Sequence, residues 1–150
     1  MTEFVLAIAF ATIILTSIAS LKYLQDQKIS QNTEIGRMQS AAYAISDIFI
    51  KTPGIPPDWE SNITNISAIG LAINDRILDK SKVDTFTNLD YNLTKQKLKL
   101  SYDYVFSIEH TNGTIIAESG TFPKKELVAN SKRLVTYEGK PVILTIKLSR

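Results

Sequence analysis

The sequence predicts an α+β chain: a long N-terminal helix, first hydrophobic and then amphipathic, packed on a small C-terminal antiparallel sheet of about four strands. Three observations predict it. Phe4–Leu21 is a run of eighteen residues without a charge. Lys22–Thr52 continues with no proline and a single glycine, Gly36, and its apolar residues recur at helical spacing. From Tyr102 onward, apolar and polar residues alternate and are broken by turn signals.

The first segment, residues 1–21, is long enough to span a bilayer, which takes roughly 20 apolar residues. Three readings of it stand side by side: a retained transmembrane anchor, a removable signal peptide with Ser17-Ile18-Ala19 as its cleavage site, and a helix that packs against copies of itself. The missing basic start disfavours the signal peptide. Lys22, Asp26 and Lys28 after the span weakly place that side in the cytoplasm. The sequons described below point the other way.

Residues 22–52 form the amphipathic continuation. Leu21, Leu24, Ile35, Met38, Ala42, Ile45 and Phe49 follow a 3-4 rhythm, interrupted by Lys28 and Gln31. The stripe is too short for a sustained coiled coil and suits docking on a globular domain. Pro53-Gly54-Ile55-Pro56-Pro57-Asp58 ends the helix.

Residues 53–150 form the head. Ile69–Ala72 reads as a short buried strand, Leu78–Leu89 as a helix, and Tyr91–Leu100 as a second short helix whose Lys95, Lys97 and Lys99 make a solvated face. Tyr102, Tyr104, Phe106 and Ile108 mark a strand, Asn112-Gly113 a hairpin turn, and Thr114–Ala117 the return. Leu134–Tyr137 is a third strand, Glu138-Gly139-Lys140 a turn, and Val142–Leu148 a fourth strand. One face of this sheet needs a cover, and the amphipathic half of the long helix supplies it.

Composition excludes several functions. The chain has 17 Lys+Arg against 15 Asp+Glu, too even for a basic nucleic-acid binder. It has no cysteine and one histidine, His110, so thiol chemistry, iron–sulfur clusters, Cys-based zinc sites and a Ser-His-Asp triad find no material. Asp75, Asp79 and Asp84 lack the spacing of a calcium loop and read as helix caps and solvated charge. His110 reads as an exposed hairpin residue. No metal, cofactor or catalytic residue is expected, and the chain reads as a non-enzyme. Trp59 either pins its loop onto the head or serves as a candidate partner contact. Asn62, Asn65, Asn92 and Asn112 each begin an N-x-S/T sequon, the one enriched pattern, and are candidate glycosylation sites.

The order of these parts resembles an archaeal type IV pilin-like protein. An acidic start, a hydrophobic helix, an amphipathic continuation and a β-rich head are its general form. Gly54-Ile-Pro56-Pro57-Asp-Trp59 followed by Ile69-Gly70-Leu71-Ala72 is similar to a pattern of that family. Leu78–Val83, Tyr102-Asp103-Tyr104 and Lys132–Leu144 fall in the same order. The resemblance implies a structural subunit of a pilus-like filament at the cell surface. Such a subunit is a homo-oligomer in a helical assembly, anchored in the membrane before assembly, with a head exposed for adhesion. It implies an assembly core of Glu3, Phe4, Leu6, Ile8, Phe10, Ile13, Ile14, Leu15 and Ile18. Glu3 would neutralise the terminal amine of a neighbouring subunit, since a carboxylate among apolar helices needs a positive partner. The family carries this glutamate at the fifth mature position, whereas here it stands third. The alternative is a single-span anchored accessory or binding protein outside the cytoplasm.

Overall fold

Pro53, the first proline of the chain, stops a helix that runs uninterrupted up to it. The computed structural model describes the backbone of residues 2–121 and 127–150, and the side chains of residues 10, 12–121 and 127–150. Helix α1 (Thr2–Lys51) is followed by strand β1 (Gly54–Ile55) and by two 3-10 turns, Trp59–Ser61 and Ile63–Asn65. Then come β2 (Ala68–Ile69), β3 (Ala72–Asn74), β4 (Ile77–Leu78), α2 (Lys80–Thr87) and α3 (Tyr91–Lys97). Four longer strands complete the chain: β5 (Asp103–His110), β6 (Ile115–Gly120), β7 (Val128–Tyr137) and β8 (Lys140–Ser149). The chain divides into two units, Met1–Gly36 and Arg37–Arg150.

In unit Met1–Gly36 the described residues are all helix. Its hydroxyl side chains turn back on the backbone. Thr16 Oγ1 donates to the carbonyls of Thr12 and Ile13, Ser17 Oγ to Ile13, and Ser20 Oγ to Thr16, at 2.8–3.0 Å. Such i−3 and i−4 bonds consume donors that would otherwise need water.

Unit Arg37–Arg150 has a layered core. Met38, Ala42, Ile45 and Phe49, spaced four, three and four residues apart, are buried, as the amphipathic stripe requires. Phe49 of α1, Phe86 of α2 and Phe106 of β5 meet edge to face, with centroids 5.0–5.8 Å apart. Tyr91 of α3 stacks on Tyr104 of β5 at 5.1 Å. The three helical segments therefore share one face of the sheet.

The sheet is larger than the four strands expected, and it is mixed. Its order is β3-β4-β7-β8-β5-β6. The antiparallel quartet β7-β8-β5-β6 is the part the alternation marks out. β4 adds to β7 in parallel, through Ile77↔Thr136 and Leu78↔Tyr137. β3 and β4 are three and two residues long, too short to show a period, and Leu78 belongs to β4 instead of opening the helix. Helix α2 starts behind its N-cap Asp79, whose carboxylate accepts from the backbone N–H groups of Ser81 and Lys82.

Both predicted hairpins form. Gly113 has φ 87°, its N–H reaches the His110 carbonyl at 2.9 Å, and Asn112 Oδ1 accepts from Thr114 N at 3.0 Å. Glu138 and Gly139 make a two-residue turn with φ 49° and 76°, the positive values of a type I′ connection. Lys140 already belongs to β8.

Candidate functional site

The assembly-core residues split at the boundary of the described side chains. Glu3, Phe4, Leu6 and Ile8 lie outside it. Phe10, Ile13, Ile14, Leu15 and Ile18 lie inside it, and with Leu21 and Leu24 they are 55–66% exposed. At about 100° per residue these seven side chains spread over about 200° of the helix circumference. That arc is wider than the narrow seam a single partner helix covers. Among the described residues, no helix is long and apolar enough to cross a membrane. The expected span Phe4–Leu21 begins among side chains that lie outside that description.

Trp59 is not available to a partner. Its side chain is fully buried, and its indole N–H donates to the Gly70 carbonyl at 2.9 Å. The segment that suggested a contact loop is a clamp on the end of α1. β1 pairs with β2 through Gly54↔Ile69 and Ile55↔Ala68. The orphan carbonyls of the helix end find donors there: Phe49 O accepts from Leu71 N, Thr52 O from Ala72 N and Ile50 O from Arg76 N. A side chain on Gly54 would strike the Trp59 ring at 2.5 Å, and one on Gly70 would strike the Thr52 carbonyl. The glycines and tryptophan of this motif are thus explained by close packing.

Lys82 completes the clamp, and nothing in the sequence marked it. It is 4% exposed, and its Nζ donates to the carbonyls of Pro53 and Pro57, with Glu60 Oε2 at 3.9 Å. Its neighbours Val83 and Phe86 face the core, so the helix carries Lys82 inward with them.

The lysines of the segment expected as the second short helix are also less solvated than expected. Lys95 pairs with Asp103 at 2.9 Å, Lys97 donates to the Ile66 carbonyl at 2.6 Å, and Lys99 alone is exposed. Burial, and then a hydrogen bond to Asp103, push the Tyr91 hydroxyl up to about 12.

The carboxylates act as structural anchors. The hydrogen bond from Lys51 holds Asp47 below the usual carboxylate value; burial opposes the shift and Arg133 adds to it. Burial would raise Asp79, but the Ser81 hydroxyl and the backbone N–H groups of Lys82 and Ser81 hold it below the usual value. Asp75 and Asp84 are exposed, and no group of three metal-ligating side chains occurs among the described residues.

His110 is half-buried at the end of β5. It lines an open pocket of about 270 Å³ with Ile116, Tyr137, Glu138 and Lys140. Glu138 is paired with Lys80 at 2.5 Å, and burial raises the Tyr137 hydroxyl above its usual value.

The four sequon asparagines Asn62, Asn65, Asn92 and Asn112 are all exposed. Asn62 Oδ1 accepts from the Thr64 hydroxyl of its own sequon at 2.6 Å.

No protein-family model, no curated protein and no solved structure matches this chain.

Proposed function

We propose that the chain is a structural subunit of an extracellular type IV pilus-like filament, held in the membrane before assembly and assembled through its N-terminal helix. One observation carries the reading. The helix of unit Met1–Gly36 exposes Phe10, Ile13, Ile14, Leu15, Ile18, Leu21 and Leu24 over a wide arc while the hydroxyls of Thr16, Ser17 and Ser20 bond back to its own carbonyls.

That surface suits an apolar setting. Burying the exposed parts of Phe10, Ile13, Ile14, Leu15 and Ile18 is worth on the order of 5–10 kcal/mol per subunit. Association of two rigid bodies costs an amount of similar size, so a pair of such helices gains little. A bundle in which each helix meets several neighbours uses the whole arc and tips the balance. The satisfied hydroxyls remove the penalty that buried donors carry in such a core. In this reading Glu3 neutralises a neighbour's terminal amine, the head faces outward for adhesion, and the exposed sequon asparagines carry glycans.

Electron microscopy of detergent-free protein tests the reading, with Glu3→Ala alongside. Filaments from the parent chain and their loss in Glu3→Ala are expected. Monomers or amorphous aggregates from the parent chain would overturn the reading. Monodisperse membrane-bound protein that tolerates Glu3→Ala would replace it with a single-span anchored accessory protein.

A further inference from the structure

The six-stranded sheet buries one face under α1, α2 and α3 and leaves the other to be explained. Register assigns the outer face without ambiguity. Lys132 of β7 pairs with Thr145 of β8, Thr145 with Ser107 of β5, and Ser107 with Glu118 of β6. This row lies opposite Phe106 and Leu144, which are in the core. Its small central members, Thr145 and Ser107, are buried, so the long side chains at its two ends, Lys132 and Glu118, are the ones that reach solvent. The next row runs Leu134, Ile143, Glu109, Ile115, with Leu134 and Ile115 63% and 54% exposed at its ends.

We propose that this outer face docks on the same face of a second copy of the chain, with Lys132 of each copy against Glu118 of the other. Charge complementarity selects this occupant. The β7-β8 half carries Lys132 and Lys147, and the β5-β6 half carries Glu109 and Glu118. Lys132, Lys147 and Glu118 are exposed and make no ion pair among the described residues. A uniformly acidic or basic partner would meet half of this face with its own sign.

A second copy turned about a two-fold axis that runs along the strands between β8 and β5 brings each positive half onto a negative half. The same rotation lays Leu134 of one copy over Ile115 of the other, so the apolar ends also meet. Such a contact is isologous, with every pair occurring twice, and it has the aligned geometry of packed sheets. It goes beyond the filament reading, because it involves the heads and makes no use of the helix core.

Cysteine pairing in the full-length chain, kept in detergent to dissolve helix contacts, tests the docking. The chain has no cysteine of its own. Within one copy, positions 132 and 118 are three strand spacings apart, about 14 Å, beyond the reach of a disulfide. Chains carrying Lys132→Cys and Glu118→Cys are oxidised separately and as a mixture at low ionic strength. The expected result is a disulfide-linked heterodimer several-fold more abundant in the mixture than any dimer of either chain alone. Equal yields would overturn the proposal.

Sedimentation supplies the second arm. Lys132→Glu is expected to weaken self-association about tenfold or more, since like charges then oppose each other twice. Lys132→Glu combined with Glu118→Lys is expected to restore it. An unchanged association in Lys132→Glu overturns the docking. Ile14→Asp separates this claim from the filament: it should abolish filaments and leave the disulfide yield unchanged. A disulfide that disappears with the filaments would show that the heads have no affinity of their own.

Discussion

The two units handle the same chemistry in opposite ways. In Met1–Gly36 the apolar side chains Phe10, Ile13, Ile14, Leu15, Ile18, Leu21 and Leu24 are exposed, and the hydroxyls of Thr16, Ser17 and Ser20 are spent on their own helix. In Arg37–Arg150 the large apolar side chains Phe49, Phe86, Phe106 and Trp59 are fully buried, and even a lysine, Lys82, is taken inside and bonded there. The contrast teaches that hydrophobic content divides into two functions. One part folds the head, and the other is, in the proposed reading, a surface for contacts outside the chain.

Substitutions separate those functions. The largest effect is expected from Ile14→Asp together with Ile18→Asp. Two charges in an apolar core cost several kcal/mol each, so filaments vanish from electron micrographs. The urea midpoint of the head stays where it was, because neither residue belongs to its core. A shifted midpoint would erase the division between the units.

Trp59→Ala is the converse. It removes a fully buried indole and its bond to Gly70, at a cost of about 3–5 kcal/mol to the head. Urea unfolding followed by circular dichroism measures the loss. A cost below about 1 kcal/mol would mean that the helix-end clamp does not stabilise the head.

Lys82→Met keeps the stem and removes the ammonium. The carbonyls of Pro53 and Pro57 lose a donor, and Glu60 loses the cation near it. A loss of about 1–3 kcal/mol is expected in the same assay. A neutral result would show that water replaces the ammonium.

The smallest effect concerns pH. Asp47 and Asp79 both have lowered pKa values in the folded head. Their contribution is complete above the ordinary carboxylate value and disappears as pH falls through the lower folded value. Stability therefore decreases below about pH 4, and Asp79→Ala flattens part of that decrease while removing about 1 kcal/mol as a lost N-cap. Parallel acid profiles in parent and variant would remove Asp79 from the explanation.

Much of the fold is legible in the residues, because strong periodicity leaves few alternatives. Met38, Ala42, Ile45 and Phe49 announce the buried stripe, and Asn112-Gly113 and Glu138-Gly139 announce the hairpins between long alternating strands. The missed elements are those with too few residues to have a period. β3 and β4 are held by the pairing of β4 with β7 and by N–H bonds to carbonyls at the end of α1, contacts far apart in sequence. Lys82 was invisible for a different reason: its burial depends on two proline carbonyls that only the folded chain brings to it. The candidate site shows the same division. An eighteen-residue uncharged run predicts an apolar helix, whereas the bonding of its hydroxyls to its own carbonyls and the signed halves of the outer sheet face emerge only from geometry and register. Trp59 illustrates the limit of composition, since an aromatic beside two prolines suits a contact loop as well as a buried clamp.

The central claim is that residues 10–24 form a core shared between copies. A cryo-electron microscopy reconstruction of filaments sheared from the cell surface tests it directly. Phe10, Ile13, Ile14, Leu15 and Ile18 packed at the filament axis against the same helix of several neighbours is the predicted result. Filaments in which these side chains face solvent, or a sheared fraction that never contains this chain, would contradict it.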